Sequence, residues 1–197
     1  MALDMQGNVW GDDVIESQTQ NGTLVALWRR GDEEARNTLI EQLHGWLERT
    51  ASEILRGEGH VTLTIGDLVN EAVVRLTGID GLELQDRAHV KALSARLMRH
   101  ILIDHARAKQ ANKRAHRRVT LVTNIAERPR EDLLQLSHAL QRLSAIDTEK
   151  AYIVEMRYFG GMTVADVSIV TGLSEPTVKR RWNAARAWLV DAIDAAA

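Results

Sequence analysis

The chain has 197 residues, of which 45% are hydrophobic but only 4% aromatic, with two prolines and no cysteine. That balance allows one domain or two small ones, favours helices over sheet, and excludes disulfides, thiolate metal sites and a cysteine nucleophile. The net charge of −2 hides a segregation: residues 1–86 sum to −10, residues 87–118 to +9 and the remainder to −1.

In chain order, residues 1–20 are polar and acidic, with neither the apolar core of a signal peptide nor a membrane-spanning run, and are expected to form a flexible tail on a cytoplasmic protein. Leu24, Leu27, Trp28, Leu39, Leu43, Trp46, Leu47 and Ile54 then recur at three- and four-residue steps, interrupted at Gly31-Asp32, which predicts two helices meeting there. A third helix is expected from about Asp67 to Leu76, with Leu68, Val69, Ala72, Val73 and Leu76 inward and Asp67, Asn70, Glu71 and Arg75 toward solvent. Gly78-Ile79-Asp80-Gly81 marks a loop, and a fourth helix runs from about Arg87 past Arg107. Arg87, Lys91, Arg96, Arg99, Arg107, Lys109, Lys113, Arg114, Arg117 and Arg118 face only Asp104 as a local acid. Such a block suits phosphate binding, which releases counterions; the plainer alternative is a solvated helix face with a basic tail. After Asn112 the periodicity fades, so residues 113–130 are read as a linker. A second helical unit, 131–197, begins with Leu133, Leu136, Leu140 and Leu143 and continues through Ile153, Val154 and Met156 to Gly160-Gly161.

The stretch from about Thr163 to Leu189 has the pattern of a helix-turn-helix. Thr163 and Asp166 suit a helix start, Gly172 a left-handed exit, and Ser174, Glu175 and Pro176 the cap and first turn of the next helix. Small Ser168 is placed where the helices cross. Val178 and Trp182 share one face of the second helix, and Lys179, Arg180 and Asn183 another, the division a groove-reading helix requires. An ordinary helical hairpin with a charged face is the competing explanation. Trp182 and Trp188, at helical spacing, are expected in the core.

Three segments together carry a family resemblance. Asp-Leu-Val-Asn-Glu-Ala begins at Asp67, Arg-His-Ile-Leu-Ile-Asp-His-Ala-Arg at Arg99, and Thr-Val-Lys-Arg-Arg-Trp-Asn-Ala-Ala-Arg-Ala-Trp-Leu at Thr177. In this order and spacing the chain, over roughly Leu24 to Leu189, resembles an extracytoplasmic function (ECF) sigma factor, a two-domain specificity subunit of bacterial RNA polymerase. The resemblance implies an all-α fold of two small domains joined by a flexible linker: a region 2 domain over 21–112 and a region 4 domain over 131–197, the latter holding the helix-turn-helix.

It also implies roles. Asp67, Asn70, Glu71 and Val74 would contact the clamp helices of the polymerase β′ subunit, with the β subunit a further partner. Leu84, Gln85, Arg87, Lys91, Arg96, Arg99 and His100 would capture and melt the minus-10 promoter element. His100 stands where many relatives carry Asn, and Leu84 where some carry an aromatic, so the base preference is not transferable. Thr177, Lys179, Arg180, Asn183, Ala184 and Arg186 would read the minus-35 element, with Thr177 and Arg186 near phosphates and Ala184 offering only apolar contact. No catalytic residue, cofactor or metal is expected, because the polymerase performs the chemistry.

One departure concerns control. Where many relatives begin the polymerase-binding helix with a run such as Asp-Ala-Glu-Asp, this chain has Thr64-Ile65-Gly66-Asp67. A phosphate on Thr64 would restore about −1.5 to −2 charge at a helix N-terminus, where the dipole favours it. Thr64 is therefore either a phosphorylation site, with Thr62 the lesser candidate, or simply the N-cap of that helix. A Ser/Thr protein kinase or an anti-sigma factor is the expected regulator. Two other classes compete. A stand-alone dimeric helix-turn-helix regulator would need neither the acidic third helix nor the basic stretch. A metal hydrolase built on His100, Asp104 and His105 is poorer, since histidines five residues apart diverge on a helix.

Overall fold

A computed structural model describes residues 22–56, 63–79, 84–116 and 129–195, and every regular element among them is helical. The expected tail 1–20, Thr62, Asp80 and Gly81 of the predicted loop, residues 117–128 of the linker with Arg117 and Arg118, and the side chains of Lys113 and Arg114 lie outside the described residues.

Helix α1 covers residues 22–29 and α2 Glu33–Arg56. Gly31 turns the chain between them at φ +90°, and the Asp32 carboxylate accepts the Ala35 N–H at 2.9 Å, so the predicted break is made by a left-handed glycine and a cap. Leu39, Leu43 and Leu47, one turn apart on α2, are fully buried. Helix α3, Ile65–Thr77, buries Leu68, Val69, Ala72 and Leu76 against it, as the spacing predicts.

Helix α4, Arg87–His116, is the central element. Val90, Ala92, Ser94, Ala95, Met98, Ile101, Leu102 and Ile103 are all buried, too many for one stripe, so the helix is covered on more than one side. Val90, Met98, Ile101 and Leu102 join the core made with α2 and α3, whereas Ala88 and Ala92 pack with Ile153, Met156, Met162, Val167 and Val178 from the C-terminal half. The chain's two helical groups therefore meet along α4, a packing the sequence pattern did not show.

Helix α5 runs from Pro129, the N1 position a missing N–H tolerates, to Ile146. Within the helical unit that the sequence pattern carries to Gly160-Gly161, Asp147 caps a second helix, α6 (Thr148–Val154), by accepting the Lys150 N–H at 2.9 Å. Residues Glu155–Phe159 then form a wider π turn that ends at Gly160. Helix α7, Val164–Thr171, starts with a reciprocal cap between Thr163 and Asp166, and Gly172 at φ +69° turns the chain into α8, Glu175–Asp194. Ser168 holds the turn: its carbonyl accepts the Gly172 N–H at 2.9 Å and its hydroxyl donates to the Leu173 carbonyl. Ser174 occupies the N-cap position of α8 without a side-chain cap bond, its hydroxyl lying 3.0 Å from that of Thr177 instead. Among the described residues, no helix is long and apolar enough to cross a membrane.

Candidate nucleic-acid interface

The α7–α8 pair presents its basic face openly. Val178, Ala185, Leu189 and Ala192 are buried along one side of α8, and Lys179, Arg180, Asn183, Ala184 and Arg186 are exposed on the other. Among the described residues, only Lys179 of this face has an acid within ion-pair distance, Glu175 at 3.9 Å, a solvent-exposed pair of little energetic consequence. Thr177 is half-buried and its hydroxyl is engaged by Ser174. Trp182 and Trp188 are partly buried against the core, beneath the guanidinium groups of Arg157 and Arg142 at 5.6 and 5.7 Å from their ring centroids. The predicted minus-35 residues, apart from Thr177, thus share one free surface, and both tryptophans take the packing role expected of them.

The predicted minus-10 residues are differently placed. Gln85 and Arg96 are exposed. Leu84, 5% exposed, and Arg99, 8% exposed, are buried. Arg87 donates to the Gln42 carbonyl of α2 at 3.1 Å. Lys91 donates to both carboxylate oxygens of Asp166 on α7, at 3.2 and 3.3 Å, and lies 5.8 Å from the Trp46 ring centroid. Arg99 is ion-paired with Glu155 of the π turn. His100 is half-buried in a cleft of about 700 Å³, where Arg96, Arg99, His100 and Arg107 of α4 face Ser144, Thr148, Glu149 and Tyr152. Desolvation there pulls the His100 pKa below its ordinary value, helped by Arg99, while Glu155 opposes; burial likewise pushes the Tyr152 hydroxyl up. Sequence reasoning missed Glu155, Asp166 and Glu149 as partners of basic groups, the last paired with Arg181. Asp166 was visible only as a capping acid, because contacts across 75 and 56 residues leave no local pattern.

The third surface is on α3. Asp67, Asn70 and Val74 lie at three- and four-residue steps and are all exposed, Val74 at 60%. Glu71 on the same face is half-buried and accepts from Arg75 at 2.7 Å, and Arg75 in turn lies 3.6 Å from Asp104. Ile65, 39% exposed, adds to the apolar part of the surface. At the start of α3, Thr64 is exposed and is the N-cap: its hydroxyl oxygen accepts the Asp67 N–H at 3.1 Å and its O–H donates to the Asp67 carboxylate at 2.7 Å. Those bonds, first the side-chain and then the backbone one from Thr64, hold the Asp67 carboxyl below the usual range.

Compared with known proteins, residues 19–195 match the family model described as ECF sigma factor. No curated protein and no solved structure matches the chain.

Proposed function

The chain belongs to the ECF sigma factor family, whose members are DNA-binding transcription initiation factors, and from that premise we propose how its surfaces divide the work. In this reading the exposed α3 face of Asp67, Asn70, Glu71 and Val74 binds the β′ clamp helices of core RNA polymerase in the cytoplasm. The basic side of α4, with Leu84 and Gln85 ahead of it, captures the minus-10 element, and the exposed face of α8 reads the minus-35 element. The observation that carries the proposal is the one-sided partition of α8. Its cations and Asn183 are free to meet base edges and phosphates while its apolar side is fixed to the core.

Transcription from a promoter library with core polymerase tests the division. Arg180→Ala and Asn183→Ala are expected to abolish minus-35-dependent initiation while leaving core binding intact; Asn70→Ala and Val74→Asp are expected to weaken core binding itself. A chain that does not co-migrate with core polymerase, or α8 variants that initiate normally from minus-35-dependent promoters, would overturn the reading.

Phosphorylation of Thr64 by a Ser/Thr kinase completes the proposal. Thr64 is exposed, and the first turn of α3 contains only Asp67 as an acid. A phosphate would take over the free N–H groups of that turn and add about −1.5 to −2 charge beside the polymerase contact. It would also remove the hydroxyl donor to Asp67, leaving that carboxylate the Thr64 backbone N–H alone. Unmodified protein that binds core polymerase as tightly as the phosphorylated form or Thr64→Glu would exclude this control.

A further inference from the structure

We propose that Arg157 is a positioning residue for the recognition helix: its guanidinium ties the entry of α7 to the Trp182 face of α8 and so sets how Lys179, Arg180 and Asn183 meet the minus-35 element. The inference rests on the minus-35 reading of α8.

Arg157 lies in the π turn Glu155–Phe159, which ends with the Gly160 N–H on the Glu155 carbonyl at 3.2 Å. Met156 and Phe159 of that turn are fully buried, Arg157 is half-buried and Tyr158 is exposed. One guanidinium then makes two contacts. Its Nη1 donates to the Met162 carbonyl at 2.6 Å, and its Cζ lies 5.6 Å from the centroid of the Trp182 ring. Its Nε is buried without a hydrogen-bond partner. Met162 is fully buried and immediately precedes Thr163, the N-cap of α7. Gly160 and Gly161, the second at φ +54°, bring no side chain to the segment that leads there. Trp182 stands on α8 one turn beyond buried Val178 and directly before Asn183, with Arg180 and Lys179 two and three residues ahead of it. Both helices of the pair are therefore referred to the same side chain.

The other anchors of α8 differ in kind. Val178, Ala185, Leu189 and Ala192 are held by apolar burial, which is non-directional and tolerates a small rotation. Arg181 pairs with Glu149 of α6, but both are partly exposed and such a pair holds weakly. A charge-assisted hydrogen bond and a cation over a ring are directional, so the Arg157 contacts are the ones that set the rotation of α8. A lysine at 157 would keep the charge. It would lack the planar fork that donates to Met162 while lying on the indole.

Holoenzyme assembled from the full chain and core polymerase is assayed on a promoter selected from the library and on the same promoter with its minus-35 element scrambled. Arg157→Lys is expected to lower the ratio of the two about tenfold, the cost of one lost base contact, with core binding and helicity unchanged. The salt slope of promoter binding should not move, because no phosphate contact is removed. Trp182→Leu should lower the ratio as far, Trp182→Phe, which keeps a ring, less so, and Arg157→Lys combined with Trp182→Leu no further than the lower of the two alone. A folded Arg157→Lys protein with the wild-type ratio overturns the proposal, as do additive losses. A slope that falls by about one unit also overturns it, by making Arg157 a direct phosphate contact. Should Arg157→Lys fail to fold, the Trp182 pair decides, and equal ratios in Trp182→Leu and Trp182→Phe sink the idea. A wild-type ratio in Arg180→Ala as well removes the minus-35 reading itself, whereas a loss in Arg180→Ala beside a wild-type ratio in Arg157→Lys removes only the positioning role.

Discussion

Gly160 and Gly172 both end helical segments, but for different reasons, and substitution should separate them. Gly172 is left-handed at φ +69° with nothing near its missing side chain, so Gly172→Ala should cost only the conformational penalty, about 1–2 kcal/mol. Gly160 has an ordinary backbone, yet a Cβ there would stand 2.6 Å from the Met156 carbonyl oxygen and 2.8 Å from Ala95. Gly160→Ala should therefore destabilise more, toward the upper end of the roughly 1–3 kcal/mol that overpacking costs. Urea denaturation of the two variants checks the order, and an equal or reversed cost would mean that the α4 contact yields easily. His100 supplies a second prediction. Its pKa is depressed by desolvation and then by Arg99 and Arg96, against Glu155 and Asp104. As pH falls below the ordinary value of 6.5, the unfolded chain takes up this proton before the folded one does. The His100 contribution is thus complete above that pH and is lost as pH drops toward the depressed folded value. Asp67 and Asp147, held low by Thr64 and by the Lys150 backbone, act in a separate window: their contribution is present above the ordinary 3.8 and lost as pH falls below it. Stability plotted against pH should show both declines, and His100→Gln should remove the upper one; an upper decline that survives in the variant would assign it to another group.

At the scale of the elements, α8 separates stability from recognition. Arg180 is exposed and Val178 is fully buried two residues earlier. Arg180→Ala should change stability by less than about 0.5 kcal/mol, whereas Val178→Ala should lower it by about 1–3 kcal/mol. If Arg180 or Lys179 contacts phosphate in the holoenzyme, its loss should reduce the salt dependence of promoter binding by about one unit of slope; a base contact would instead relax sequence preference. Promoter binding measured over a range of salt distinguishes these outcomes. Elements of this kind were legible in the sequence because their signals are local: Gly31 and Gly172 as turns, Thr163 with Asp166 as a cap, the leucine spacing of α2 and α3. The break at Asp147 carries no glycine or proline signal, and only the Asp147 carboxylate, by capping the Lys150 N–H, shows that a new helix starts there. The polar face of α8 was equally readable, since it needs only its own period. The fate of Lys91 and Arg99 was not, because their partners are set by packing between distant segments.

For the whole molecule, the placement of α4 sets the cooperativity. One continuous core includes Leu39, Leu43 and Leu47 of α2, Leu68 of α3, Met98 of α4, Leu140 of α5 and Leu189 of α8, so no layer of solvent separates the N-terminal helices from the C-terminal ones. Two domains tethered by a linker would unfold independently, each with its own midpoint; two groups sharing the flank of one helix should unfold together. Leu68→Ala and Leu140→Ala, in opposite halves and both fully buried, are each expected to cost about 2–5 kcal/mol and to shift the same single thermal transition. A Glu155→Arg substitution should weaken this coupling, because it strikes the contact between the halves and not the core of either. Calorimetry of the three variants makes the comparison. Two transitions in the wild-type chain, with Leu68→Ala moving one and Leu140→Ala the other, would show that the halves are energetically separate and that the contact along α4 contributes little. A single transition that splits only in Glu155→Arg would instead place the coupling at the α4 contact, where the two helical groups meet.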